Sequence, residues 1–186
     1  MKKSLTLITA CLFAIFLSAC SPKETANTGL AQTNAAGASN DSASTGTSTK
    51  APPADVVRVE SPAVEISAGG SAEASVKLTI ASGYHINANP PSFSYLKATE
   101  LQLEPSGGIT PGSPVYPSSV TRKFAFSKDP LAVYEGEATI KQPLKASGDA
   151  RKGEQVLKAK LRIQACDEEA CYPPRTIETQ IPVKVK

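Results

Sequence analysis

From Val57 to Val185, apolar residues recur at every second position. Val57 and Val59 alternate with Arg58 and Glu60. Val76, Leu78 and Ile80 alternate with Lys77 and Thr79, and Leu101 and Leu103 with Gln102 and Glu104. Phe124 and Phe126 flank Ala125, and a further run covers Val133 to Ile140. Leu157, Ala159, Leu161 and Ile163 then alternate with Lys158, Lys160 and Arg162, before a last run from Ile177 to Val185. A period of two places successive side chains on opposite faces, which predicts strands with one buried face. Gly-Gly, Pro-Pro, Pro-Gly and Ser-Gly pairs punctuate the runs, and no window sustains a helical face. About seven short strands at this spacing predict an all-β fold, an immunoglobulin-like antiparallel β-sandwich. The chain has no tryptophan, so an antibody-type Cys-Trp-Cys core is excluded, and no internal repeat is present.

The pattern is absent upstream. Lys2 and Lys3 precede an apolar run from Leu5 to Leu17, too short to span a bilayer and suited to a signal peptide. It ends in Leu17-Ser18-Ala19-Cys20, which resembles a bacterial lipobox, so cleavage before Cys20 and acylation of its thiol are expected. Ser21, rather than Asp, follows the cysteine; by resemblance to lipoprotein sorting patterns this favours the outer membrane. From Ser21 to about Ala54 the chain is Ala, Ser, Thr, Asn and Gly with few large apolar residues. Such a stretch cannot bury enough surface to offset its ordering entropy, so it reads as a tether. A loose coil of about 30 residues would span roughly 30 Å. The expected organisation is thus a signal over 1–19, a lipidated cysteine and tether over 20–54, and one folded domain over 55–186.

Charge changes the picture little. The chain has 20 basic and 17 acidic residues, and loss of Lys2 and Lys3 leaves 18 against 17. A near-neutral protein without a basic patch interleaved with aromatics is not a nucleic-acid binder. Contact with a membrane is expected through the lipid anchor only.

Cysteine usage carries more. Cys11 falls in the signal and Cys20 takes the lipid, which leaves Cys166 and Cys171 in a compartment where disulfides persist. Continuing the phase of Leu157 to Ile163 turns Ala165 inward and Cys166 to the polar side, unless a bulge intervenes. The four intervening residues suit a hairpin loop. A non-hydrogen-bonded antiparallel pair, with Cα atoms about 4.5 Å apart, lies near the lower end of disulfide geometry. Closing so small a ring stabilises by only about 2 kcal/mol, against about 3 for fifteen residues. A bridge that adds little and lies near the surface fits reversible exchange better than a brace, though both readings stand. Metal binding is the third, but the pair lacks the further Cys/His ligands of a closed zinc site, and His85 is distant in sequence and reads as a surface or packing residue. Asp167, Glu168 and Glu169 disfavour a nearby thiolate, which suggests a disulfide that is attacked rather than a thiol that attacks. No cofactor is expected.

Four segments carry a resemblance: Gly83 to Pro91 (GYHINANPP), Val115-Tyr116-Pro117, Leu131 to Gly136 (LAVYEG), and Cys166 to Pro174 (CDEEACYPP). In this order they resemble the periplasmic N-terminal domain of the thiol:disulfide interchange protein DsbD. The resemblance implies an immunoglobulin-like sandwich whose cysteines lie on neighbouring strands under a cap loop. Such a domain accepts electrons from one thioredoxin-like partner and passes them to another. It implies Cys166 and Cys171 as the exchanging pair, with Cys171 forming the mixed disulfide. Asp129 to Tyr134, including Leu131 and Val133, matches the cap, and Tyr84 a strand beside the site; ordinary strand packing is the other reading of Tyr84 and Tyr134. The best-studied relatives place an aromatic residue over the disulfide, where this cap offers Leu131 and Val133, and their cysteine spacing is one residue longer. The expected form is the N-terminal domain alone on a lipid, serving thioredoxin-like periplasmic proteins or a membrane electron-transfer protein. The rival readings are a non-catalytic sandwich that binds envelope proteins and a Cu(I) chaperone using the reduced pair.

Overall fold

The computed structural model describes residues 52–186; the signal segment, Cys20 and the tether up to residue 51 lie outside the described residues. The strands run in chain order as β1 (Val57–Glu60), β2 (Val64–Ile66), β3 (Ser71–Ile80), β4 (His85–Asn87), β5 (Glu100–Leu103) and β6 (Ile109–Pro111). They continue as β7 (Val120–Arg122), β8 (Leu131–Tyr134), β9 (Glu137–Ala146), β10 (Gly153–Ile163), β11 (Ala165–Cys166) and β12 (Arg175–Val185). Among the described residues no helix occurs. The architecture is the expected all-β, immunoglobulin-like sandwich.

Two sheets form its layers, ordered β1-β3-β9-β6 and β2-β12-β10-β5. The long alternating runs make the long ladders: β3 meets β9 from Ser71↔Lys145 to Thr79↔Glu137, and β10 meets β12 from Gly153↔Val185 to Ile163↔Arg175. Val76, Leu78, Ile140 and Leu144 of the first sheet share one buried cluster with Leu157, Leu161, Ile163 and Ile181 of the second. Burial of each such Leu or Ile is worth about 2 kcal/mol, so alternation alone accounts for how the sheets face each other. Gln142 also points inward, and its amide donates to the carbonyls of Gly112 and Pro143 at 2.8 and 3.0 Å, which satisfies it.

The structure departs from the sequence expectation in four ways. The sandwich is not wholly antiparallel, because β2 runs parallel to β12 through Val64↔Val183 and Ile66↔Val185. A third sheet, β11-β4-β8-β7, lies beside the two layers and has a small cluster of its own, Leu96, Phe124, Leu131 and Val133. The run from Val133 to Ile140 is two strands, since Gly136 takes a positive φ of 61° and the chain leaves the third sheet for the first. Phe124 and Phe126 form no strand. They sit in a loop between β7 and β8 that Lys123 closes, its Nζ donating to the carbonyls of Ser127, at 2.9 Å, and Lys128.

Candidate functional site

The site begins where β10 changes sheet. Ile163 ends the ladder with β12, Gln164 makes a break, and β11 joins the third sheet through Ala165↔Ile86 and Cys166↔His85. The Gln164 side chain secures this switch. Its Oε1 accepts from Asn87 Nδ2 at 3.0 Å and from the Lys97 amide at 2.9 Å, while its Nε2 donates to the Tyr172 carbonyl at 3.1 Å. Three separate segments are thereby held against the start of the cysteine loop.

Cys166 and Cys171 form a disulfide, with Cα atoms 3.9 Å apart. The amide of Asp167 donates to the Ala170 carbonyl and that of Tyr172 to the Ala165 carbonyl, both at 2.9 Å, so the two cysteines form a non-hydrogen-bonded antiparallel pair. The loop between them is shaped by Asp167. Its Oδ1 accepts from the amides of Glu169 and Ala170 at 2.9 and 2.8 Å, and its Oδ2 accepts from the Tyr172 hydroxyl. Burial pushes the Asp167 carboxyl up, but these hydrogen bonds outweigh it and hold the group below the ordinary carboxylate range. The same contact with Asp167 pushes the Tyr172 phenol up to about 12. One of the three loop carboxylates is thus turned onto the loop backbone, while Glu168 and Glu169 remain exposed.

The two sulfurs differ in access. Cys166 is 0% exposed, whereas Cys171 is only partly buried. This corrects the expectation that Cys166 faces the polar side. Ala165 packs in the main core, but the opposite side does not meet solvent. Cys166 pairs across the strands with His85, itself buried, whose ring stacks on Phe124 at 3.9 Å and 14°. Sequence phase gave the alternation of β10, and the third sheet covered the side that alternation left open.

Cys171 opens onto a groove of about 540 Å³, lined by Phe93, Tyr95, Leu96, Phe126, Asp129 and Gln164 among others. Phe93 and Tyr95 stack with centroids 5.4 Å apart, and Phe126 stacks on Phe124 at 5.3 Å. Aromatic side chains therefore line the groove onto which Cys171 opens, supplied by Phe126 of the loop Lys123–Lys128 and by Phe93 and Tyr95. Of the segment assigned to a cap, only Asp129 and Pro130 lie in an exposed loop. Leu131 and Val133 are fully buried in β8, and although Leu131 also reaches the groove wall, both support the loop from beneath rather than covering it. Tyr134 is also buried; its hydroxyl accepts from the Asn89 amide at 3.1 Å, and burial pushes its phenol up. Tyr84 is half-buried, with its ring 6.4 Å from that of Tyr172.

Sequence reasoning missed His85, Gln164 and the aromatic lining. The register joining His85 to Cys166 spans some eighty residues of chain and has no local signature. The aromatics had one: Phe93, Phe124 and Phe126 are all the phenylalanines beyond Phe13 and Phe16, and each lies in a Ser-, Lys- or Pro-containing loop segment.

Comparison with known proteins fits this geometry. The sequence profile of the family described as "Thiol:disulfide interchange protein DsbD, N-terminal" matches residues 54–182. The chain belongs to this family. Among solved structures, the reduced DsbD N-terminal domain of Neisseria meningitidis is 22% identical, with a TM-score of 0.46, covering 72% of this chain and 90% of that one. The N-terminal periplasmic domain of ScsB from Proteus mirabilis is 15% identical, with a TM-score of 0.50 over 73% of this chain. The match covers 49% of that ScsB chain, and its similarity is one of fold. No curated protein matches the chain.

Proposed function

We propose that this domain performs thiol–disulfide exchange in the periplasm, relaying electrons between thioredoxin-like partners through a reversible Cys166–Cys171 disulfide. The observation that carries this reading is the unequal access of the two sulfurs: Cys171 faces the groove and Cys166 is buried. A partner thiolate attacks Cys171 Sγ, a mixed disulfide forms there, and Cys166 leaves with the electron pair. The partner's second thiol then attacks its own sulfur in the mixed disulfide, which leaves the partner oxidised and both cysteines reduced. The dithiol afterwards gives its electrons to a second partner's disulfide by the reverse sequence.

The loop bearing Phe124 and Phe126, with Asp129 at its C-terminal side, acts as the cap that a docking partner displaces, and Tyr84 supports the disulfide loop through Tyr172. Membership of a family named for thiol:disulfide interchange supports this reading, as does the small size of the ring, which makes a brace of little value. The domain works at the end of the tether over residues 20–54, after signal cleavage and lipidation at Cys20, in the periplasm and on the outer membrane. Its electron source is a separate thioredoxin-like protein or a membrane electron-transfer protein.

Trapping tests the proposal. Cys166→Ser leaves Cys171 free to hold a partner and should capture a thioredoxin-like protein as a mixed disulfide, whereas Cys171→Ser should capture little. If neither variant traps such a protein, the exchange reading fails.

A further inference from the structure

His85 is 2% exposed, and its Nε2 is buried without a hydrogen-bond partner. Buried polar nitrogens are nearly always paired, so an orphan beside a reactive bond calls for a reason. Its neighbour across the strands is Cys166, and paired residues project from the same face of a sheet with Cβ atoms about 5 Å apart. Phe124 stacks on the imidazole and fixes its plane. Resting on the exchange reading, this arrangement meets a specific need. When Cys171 is attacked, the electron pair of the broken S–S bond goes to Cys166, and an unpaired thiolate in a site with no solvent access is costly.

We propose that His85 is the proton partner of Cys166: as the disulfide opens, its free nitrogen takes up a proton from solvent and holds it against the Cys166 thiolate, and it releases that proton as the bond re-forms. In the oxidised domain burial holds the imidazole below its ordinary value, so it is neutral near pH 7 and its orphan nitrogen is free. The charges around it are Glu135 and Asp167, which favour the imidazolium, and Arg122, which opposes it and is itself paired with Glu135 at 2.9 Å; Glu168 lines the same pocket edge. Opening the disulfide adds a thiolate to this set, and the His85–Cys166 pair then takes up one proton from solvent along the shallow pocket shared by Tyr84, His85, Arg122 and Glu168. Two electrons therefore enter with one proton retained at this buried pair, and the proton is released when the electrons leave.

The chain has a single histidine, so its imidazole resonance is unambiguous in the full-length protein. Titrated by NMR in the oxidised and dithiothreitol-reduced states, the imidazole should protonate at a higher pH after reduction. The rate of reduction by dithiothreitol, followed from pH 5 to 9, should lose its imidazole inflection and fall about tenfold in both His85→Phe, which keeps the stack on Phe124, and His85→Gln. Equal imidazole titrations in the two redox states, or variant profiles parallel to the wild type, would overturn the proposal. A disulfide that native protein cannot exchange at all overturns the exchange reading too; one that exchanges while His85 stays indifferent overturns this inference alone.

Discussion

The Tyr172 hydroxyl donates to the Asp167 carboxylate across the base of the disulfide ring, so the residue after each cysteine is fastened to the residue after the other. Asp167 also accepts from two loop amides. Its folded value lies below that of an unfolded aspartate, so its contribution to stability is complete above about pH 4 and disappears as pH falls through the lower folded value. Asp167→Ala should cost about 1 kcal/mol at pH 7, measured by urea unfolding, and the difference from wild type should shrink towards pH 2.

Phe124 and Phe126 share a loop and a stack but differ in burial, at 3% and 38% exposed. Phe124→Ala should lower stability by about 3 kcal/mol. Phe126→Ala should leave the unfolding midpoint almost unchanged while speeding reduction of the disulfide by dithiothreitol several-fold. Equal reduction rates would show that Phe126 does not guard Cys171.

In the reduced protein, the partly exposed Cys171 should react with iodoacetamide about tenfold faster than the buried Cys166, since thiol reactivity follows access and thiolate character. Peptide mapping by mass spectrometry after brief labelling reads this ratio directly.

Gln164→Ala removes the acceptor for Asn87 Nδ2 and the Lys97 amide and the donor to the Tyr172 carbonyl. The expected loss is about 2 kcal/mol in thermal or urea unfolding. Gln164→Glu restores the acceptor but not the donor, and should recover only part of it.

The long strands were legible because each buries one face against a single neighbouring layer: Leu157 to Ile163 reads as a strand and is one. The disulfide loop was legible for a similar reason, since its shape depends on residues five apart. The parallel docking of Val64–Ile66 on Val183–Val185 was not, because three residues carry too little periodicity to show direction or partner. Leu131 and Val133 looked like a cap beside Asp129 because a segment match conveys neighbourhood along the chain, not which way a side chain turns. His85 was read as a surface or packing residue because nothing near it in sequence forecasts Cys166.

That parallel pairing bears on how the chain acquires its form. β12 lies between β2 and β10 in its sheet and follows every other described strand in the chain. The cysteine loop, by contrast, needs only residues already present once Tyr172 has emerged. Nascent chains should therefore meet an oxidant with the hairpin able to close while the second sheet still lacks its organising strand. Pairings this distant along the chain slow folding, so the Cys166–Cys171 ring can close before the second sheet is complete.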